Sequence, residues 1–207
     1  TSLQKVRWQR IASGLFQPLG IVVHDDQIFV MGRDQMTRLH DLNNDGEADY
    51  YECFSQALET SASGHDFTCD LWRDAEGQFY TASGKQGVMR IAADGQTAEV
   101  LATGLRNSDG LGLDPDGLVT IPNSEGDWTP ASMIAAVRPD GPILNRFPGA
   151  SPDSRNLPFF GRPGGNLQQP PEVPMLYLPR GLDNSSGGQI YVDSDRWGPV
   201  KGQMVHL

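Results

Sequence analysis

Cysteine is scarce: the 207 residues contain only Cys53 and Cys69, about sixteen positions apart. Two thiols exclude a disulfide-dense scaffold, a cysteine-rich zinc site and, with no Cys-x-x-Cys-His run, covalent haem attachment within this chain. They leave open either one bridge between neighbouring strands in an oxidising compartment or two separate buried thiols. Long apolar runs are absent, so no transmembrane helix is expected. Amphipathic periodicity of the helical kind is nearly absent too, which argues against a helical bundle. Basic residues are outnumbered, and a formal net charge of −10 disfavours nucleic acid as a partner while leaving cations and neutral polar ligands open. The chain begins at Thr1 without a methionine or signal sequence and closes on a strand-like Gln203–Leu207, from which a piece of a longer, processed protein is expected.

Abundant glycine (24) and proline (15) instead point to an all-β, turn-rich protein. The stretch Thr103–Trp128 shows the pattern at its clearest. Leu111 and Leu113 alternate with small residues, Asp114-Pro115-Asp116-Gly117 has turn chemistry, and Leu118-Val119-Thr120-Ile121 is β-rich, so a hairpin is expected. Arg106, Asn107 and Asp109 lie before it, and Asn123, Ser124, Glu125 and Asp127 after it.

The same phrase recurs four times, near 19–46, 69–95, 109–141 and 180–207. The first three copies start about forty to fifty residues apart, the period of a four-stranded propeller blade. A β-propeller is therefore expected, with about four blade-like repeats here out of about six in the intact ring. A Pro/Gly-rich insertion near 145–179 reads as a surface excursion over one face or as a disordered connector, since proline donates no sheet hydrogen bond. A ring missing blades leaves open sheet edges that other chain must cover.

Two groups of residues carry candidate chemistry. Asp41-Leu42-Asn43-Asn44-Asp45-Gly46, followed by Glu47, Asp49 and Glu52, fits the calcium-loop pattern D-x-[DN]-x-[DN]-G-x5-E. Oxygens at alternate positions wrap a hard cation and Gly46 permits the sharp turn. The flanks Met36–Leu39 and Tyr50–Phe54 read as strands, so a calcium-stapled turn is expected rather than a sensor hand; a merely solvated Asx-rich turn is the alternative. In the second group, registering the copies on Gly77 and Gly117 brings His65 and Arg106 to within about one residue of equivalent positions ahead of their first strands. Such positions meet at one mouth of a propeller's channel. There a neutral imidazole can take a proton and a guanidinium can stabilise developing negative charge. A turn histidine and a blade-to-blade salt bridge is the bland alternative.

Gly64-His65 ahead of DAEGQFYTASGKQG, the run Gly104-Leu105-Arg106-Asn107-Ser108-Asp109-Gly110-Leu111, and Asn123-Ser124-Glu125-Gly126-Asp127 together resemble the soluble quinoprotein glucose/sorbosone dehydrogenases. That family consists of six-bladed propellers using pyrroloquinoline quinone (PQQ) and calcium. The segments LHDLNNDGEADYYE, SEGDWTPAS and DNSSGGQIYVDSDRWGPVKGQMVHL are closer still to bacterial secreted proteins labelled membrane-bound dehydrogenases, which often carry a c-type haem domain. The resemblance implies His65 as general base, Asp66 as its orienting partner, Arg106, Asn107 and Asp109 at the quinone, and a calcium near Gly126 and Asp127. It differs at Asp109, where the family has glutamine, and at Asp127, where it has proline. It implies a sugar or polysaccharide-derived substrate, a c-type cytochrome domain as electron acceptor, and a periplasmic or secreted bacterial setting. Two other functions fit the residues. One is a calcium-dependent lactonase-type propeller with Asp109 and Asn107 or Asn123 as ligands. The other is a non-catalytic scaffold, in which Trp72, Trp128 and Trp197 pack between blades or stack on sugars.

Overall fold

The computed structural model describes residues 6–60, 66–125, 129–141, 145–147 and 172–207. These residues build an all-β propeller architecture of successive antiparallel meanders. The first sheet runs β1 (Gly20–His24), β2 (Gln27–Met31), β3 (Met36–His40) and β4 (Tyr50–Ser55), in that order. The second runs β5 (Thr68–Arg73), β6 (Phe79–Ser83), β7 (Gly87–Ile91) and β8 (Ala98–Thr103). The third contains β9 (Gly112–Leu113), β10 (Val119–Asn123) and β11 (Ser132–Val137). Of the next strands, β12 (Asn145–Arg146) returns to pair parallel with β8, and β13 (Leu176–Leu178) completes the third sheet beside β11. The fourth unit is a pair, β14 (Gln189–Tyr191) and β15 (Met204–His206), joined through a 3₁₀ turn at Asp195–Val200.

The turns follow from local chemistry. Asp74 and Asp114 occupy the same hairpin position, and each carboxylate accepts a backbone N–H four residues on, from Gln78 at 2.7 Å and Leu118 at 2.8 Å. Gly77 and Gly117 supply the positive φ that follows. In the first hairpin Asp25 and Asp26 both take left-handed φ (48° and 58°), the two-residue geometry that matches strand twist.

The apolar faces pack sheet against sheet. Phe29, Met31, Met36, Leu71, Phe79 and Ile91 fill the space between the first two sheets, with the rings of Phe29, Phe54 and Phe79 4.9–5.7 Å apart. Tyr80, Val88, Leu105, Leu111, Val119, Ile121 and Phe147 fill the next layer. Burying side chains of this size is each worth about 1.5–3 kcal/mol, so the layers hold the blades in register.

The Pro/Gly-rich stretch behaves differently at its ends from the sequence expectation. Residues 148–171 lie outside the described residues, but β12 and β13, at the two ends of 145–179, both join sheets. The insertion therefore interrupts the third sheet between its third and fourth strands. Leu176-Tyr177-Leu178, set between Pro174 and Pro179, is short and apolar enough to pair on an edge, where flanking prolines are tolerated. Cys53 and Cys69 are both free thiols, Cys53 exposed and Cys69 buried, because they sit on different sheets.

Candidate functional site at the inner-strand mouth

The strands β1, β5, β9 and β14 are the first of their units, and a chain of hydrogen bonds links them in sequence. Asp70 donates its N–H to the Leu19 carbonyl at 3.0 Å, Leu111 donates its N–H to Asp70 Oδ2 at 3.1 Å, and Gln189 donates its N–H to the Leu111 carbonyl at 3.1 Å. Asp70 holds a left-handed φ of 62° within a bulge of β5, and its carboxylate also accepts from Leu71 N–H at 2.8 Å and Trp72 Nε1 at 3.1 Å. The backbones approach so closely that a Cβ on Gly20 would lie 2.5 Å from the Asp70 carbonyl carbon, and one on Gly110 2.6 Å from Gly188 Cα.

The segments leading into these strands converge. Arg106 donates its backbone N–H to the buried Asn123 Oδ1 at 2.7 Å, and its exposed guanidinium bonds the Glu125 carbonyl. The Ser124 hydroxyl donates to the Asn107 carbonyl at 3.2 Å, and the Glu125 carboxylate takes a bidentate ion pair from Arg180 at 2.7 and 3.1 Å. That pair, with a smaller effect from Arg106, holds the Glu125 carboxyl below the usual carboxylate range. Asp66 is buried, and its Oδ1 accepts from Ser83 Oγ at 2.8 Å and Lys85 N–H at 3.2 Å. Both ends of the Gln86 side chain clamp the Glu59 backbone, at 2.7 and 2.5 Å. Gly84, in the same Ser83–Gly87 turn, abuts Asn107, since a Cβ there would lie 3.3 Å from Asn107 N. One turn thus ties Asp66 and Glu59, on either side of 61–65, to the segment carrying Arg106 and Asn107. His65 itself lies outside the described residues, as do Gly126, Asp127 and Trp128.

Below this cluster, Phe67, Cys69, Asn107, Ser108 and Asp109 line a cavity of about 70 Å³. Ser108 is 2% exposed, and among the described residues neither its hydroxyl nor the fully buried Asn123 amide nitrogen has a hydrogen-bond partner. Burial, then the charges of Asp109, Asp70 and Asp66, push the Cys69 thiol up to about 12. Partial desolvation raises the Asp109 carboxyl above its ordinary value although the side chain is exposed at the surface.

The calcium-pattern loop lies elsewhere, between β3 and β4. Asp41 accepts from Asp45 N–H at 3.2 Å and Gly46 N–H at 2.8 Å, and Asn43 Oδ1 from Asp45 N–H at 2.9 Å. Asp45 Oδ1 accepts from Glu47 N–H at 2.9 Å, and Asp49 Oδ2 from Leu42 N–H at 2.8 Å. Glu47 pairs with Arg10 at 2.9 Å. Glu52, on β4, points to His40 Nε2 at 2.7 Å because its strand register sets it opposite Arg38. Among the described residues, no three His, Cys, Asp or Glu side chains are gathered at metal-binding spacing.

Sequence reasoning missed Asp70 and the pair formed by His206 and Asp183. His206 Nε2 lies 2.7 Å from Asp183 Oδ2 and Nδ1 lies 3.1 Å from Gln189 Nε2. The Gln189 amide nitrogen is a donor, so Nδ1 accepts from it and Nε2 donates to Asp183. The Asp-Asn-Ser-Ser-Gly-Gly lead-in at 183–188 was the available signal. Trp72 packs against the core, while Trp197 is exposed.

No protein-family model matches the chain, and no curated protein matches it. Solved structures do. The soluble aldose sugar dehydrogenase of Escherichia coli, in its apo form, aligns with a TM-score of 0.62 at 13% identity, over 100% of this chain and 76% of that one. A Trichoderma reesei carbohydrate-active enzyme of family AA12 aligns with a TM-score of 0.59 at 10% identity, over 84% of this chain. The chain spans only 58% of that enzyme's length. At identities this low the likeness shows the fold alone. No helix among the described residues is long and apolar enough to cross a membrane.

Proposed function

We propose that the chain forms part of a quinoprotein-like sugar or alcohol dehydrogenase acting at the inner-strand mouth. The observation that supports this reading is the 104–111 segment, where Asn123 Oδ1 holds the Arg106 backbone N–H and Ser124 Oγ holds the Asn107 carbonyl. The propeller shared with an aldose sugar dehydrogenase is in keeping with it. PQQ, a tricyclic quinone, is far larger than the 70 Å³ cavity and would lie on the open surface beside it. There Arg106 and Asn107 are the donors that would hold it. When bound, the quinone supplies an acceptor for hydride.

The chain's own residues do the rest. His65 takes the proton from the substrate hydroxyl as general base. Asp66, tied to Ser83 and Lys85, anchors the chain immediately beside it. Arg106 steadies negative charge that develops on oxygen. Gly126 and Asp127 are the residues that would hold one calcium, and Asp41, Asn43, Asp45, Glu47 and Asp49 those that would hold a structural one, with Glu52 joining only by leaving His40. A c-type cytochrome domain would take the electrons, in a periplasmic or secreted setting.

The lactonase-type alternative would rest on Asp109 with Asn107, because Asn123 Oδ1 already accepts from Arg106 N–H and the side chain is fully buried. The test is reconstitution with calcium and PQQ, followed by dye reduction across a panel of sugars. Turnover that His65→Ala abolishes while quinone binding persists supports the reading; no quinone binding and no turnover removes it.

A further inference from the structure

Arg180 stands where the third sheet hands over to the fourth unit. β13 pairs with β11 in a register that sets Leu178 opposite Ser132, and the Ser132 hydroxyl accepts the Glu125 backbone N–H at 3.2 Å. The return strand therefore carries Arg180, two positions past Leu178, to the turn that follows β10. Its own backbone is fixed by a second turn. The Pro179 carbonyl accepts from Leu182 N–H at 3.0 Å, Gly181 takes the positive φ of 86° that such a turn needs at its third position, and Asn184 Oδ1 accepts from Gly181 N–H at 3.1 Å.

Glu125 is thus gripped from two sides. Its carboxylate takes Nε and Nη2 of Arg180 as a fork, while its backbone carbonyl takes one N–H of the Arg106 guanidinium. The other guanidinium donors of Arg106 have no acceptor among the described residues, so they are left for a ligand. The Arg180 side chain is 66% exposed, and an ion pair that open adds little to stability. Its geometric effect is larger, because two parallel bonds fix the Glu125 side chain and with it the carbonyl that Arg106 grips. A surface arginine that samples many rotamers loses that freedom when it meets a ligand; one already held loses less.

We propose that Arg180 is a positioning residue for the mouth: by forking onto the Glu125 carboxylate it fixes the Glu125 carbonyl and so holds the Arg106 guanidinium ready for a negatively charged oxygen of the bound ligand. What Arg106 meets rests on the dehydrogenase reading, but the coupling from Arg180 to Arg106 does not.

The side-chain ¹⁵N–¹H signal of Arg106 Nε reports that coupling without quinone or turnover. In the full chain it is identified as the signal missing from Arg106→Lys, and its order parameter is compared between parent and variants. Arg180→Ala should drop it from a held value to below about 0.6, the flexible range. Arg180→Lys keeps the charge without the fork and should recover only part. Glu125→Gln keeps the carbonyl but loses the ion pair, so it should loosen Arg106 as much as Arg180→Ala does, and the double variant should be no looser than either. Urea midpoints close to the parent's show that the loosening is local. A signal already flexible in the parent, or one unmoved by both Arg180→Ala and Glu125→Gln, overturns the coupling. PQQ titration is followed in parallel, and Arg180→Ala should raise the half-saturating concentration about three- to tenfold, with Arg180→Lys between. A loosened Arg106 with unchanged quinone affinity overturns the positioning role. A parent that binds no quinone and turns over no sugar removes the dehydrogenase reading, and the Arg106 signal then decides the coupling by itself.

Discussion

Asp70 Oδ2 accepts the Leu111 backbone N–H at 3.1 Å, so a side chain of the second sheet ends the unpaired edge of the third. The same residue donates its own N–H to Leu19, and thus joins three inner strands. Asp70→Ala removes three hydrogen bonds and leaves alanine at a left-handed φ, and should destabilise by about 2–4 kcal/mol. Asp70→Asn tolerates that backbone and keeps an acceptor, and should cost about 1 kcal/mol. Urea denaturation of the two variants separates them; equal midpoints would sink the assignment.

Gly20 is required by contact and not by φ. Gly20→Ala places a methyl 2.5 Å from the Asp70 carbonyl carbon and 2.6 Å from its oxygen, both backbone atoms that cannot swing aside. The first two sheets must part slightly, at a cost of about 1–3 kcal/mol. An unchanged melting temperature would show that the inner strands have slack.

The hydrogen bond from His206 lowers the Asp183 carboxyl below its ordinary value. A depressed carboxylate contributes stability that is fully present above its unfolded value of about 3.9 and is lost as pH falls through the lower folded value. Asp183→Asn should therefore lose stability relative to the parent at pH 5–7 by about the same amount throughout, with the two curves converging as pH falls through the lowered folded value. A gap that persists unchanged at pH 2 would point to lost packing instead.

The Asp41–Asp49 loop already wraps its carboxylates around its own N–H groups. If calcium seats there, chelation should lower the melting temperature by about 5–11 °C, equivalent to about 2.7 kcal/mol at a hundredfold excess over Kd. Asp45→Ala should abolish that shift. A melting temperature indifferent to chelator in the parent protein would leave a solvated Asx turn.

The hairpins were legible because their causes are local. Asp114 and Gly117 make the turn that their types demand, and the alternation around Leu111 and Val119 puts apolar side chains in one layer. Arg106 could be singled out from register alone, since repeats of one period place equivalent residues at one end of the ring. Asp70 could not, because a left-handed residue within a strand leaves no mark on alternation, and its partner Leu111 lies forty-one positions away. Glu52 looked like the closing ligand of a loop on spacing, yet strand register turns it toward Arg38 and His40.

The sequence by itself determined the all-β class, the repeat and the turns, since period-two alternation and Asp/Gly chemistry act within a few residues. Only the tertiary structure decided which polar groups meet. The inner strands approach closely enough to exclude a Cβ at Gly20 and Gly110, and one turn, Ser83–Gly87, holds Asp66 beside Asn107. The Ser108 hydroxyl is buried for the same reason: burial depends on neighbours brought from other blades, which no local pattern records.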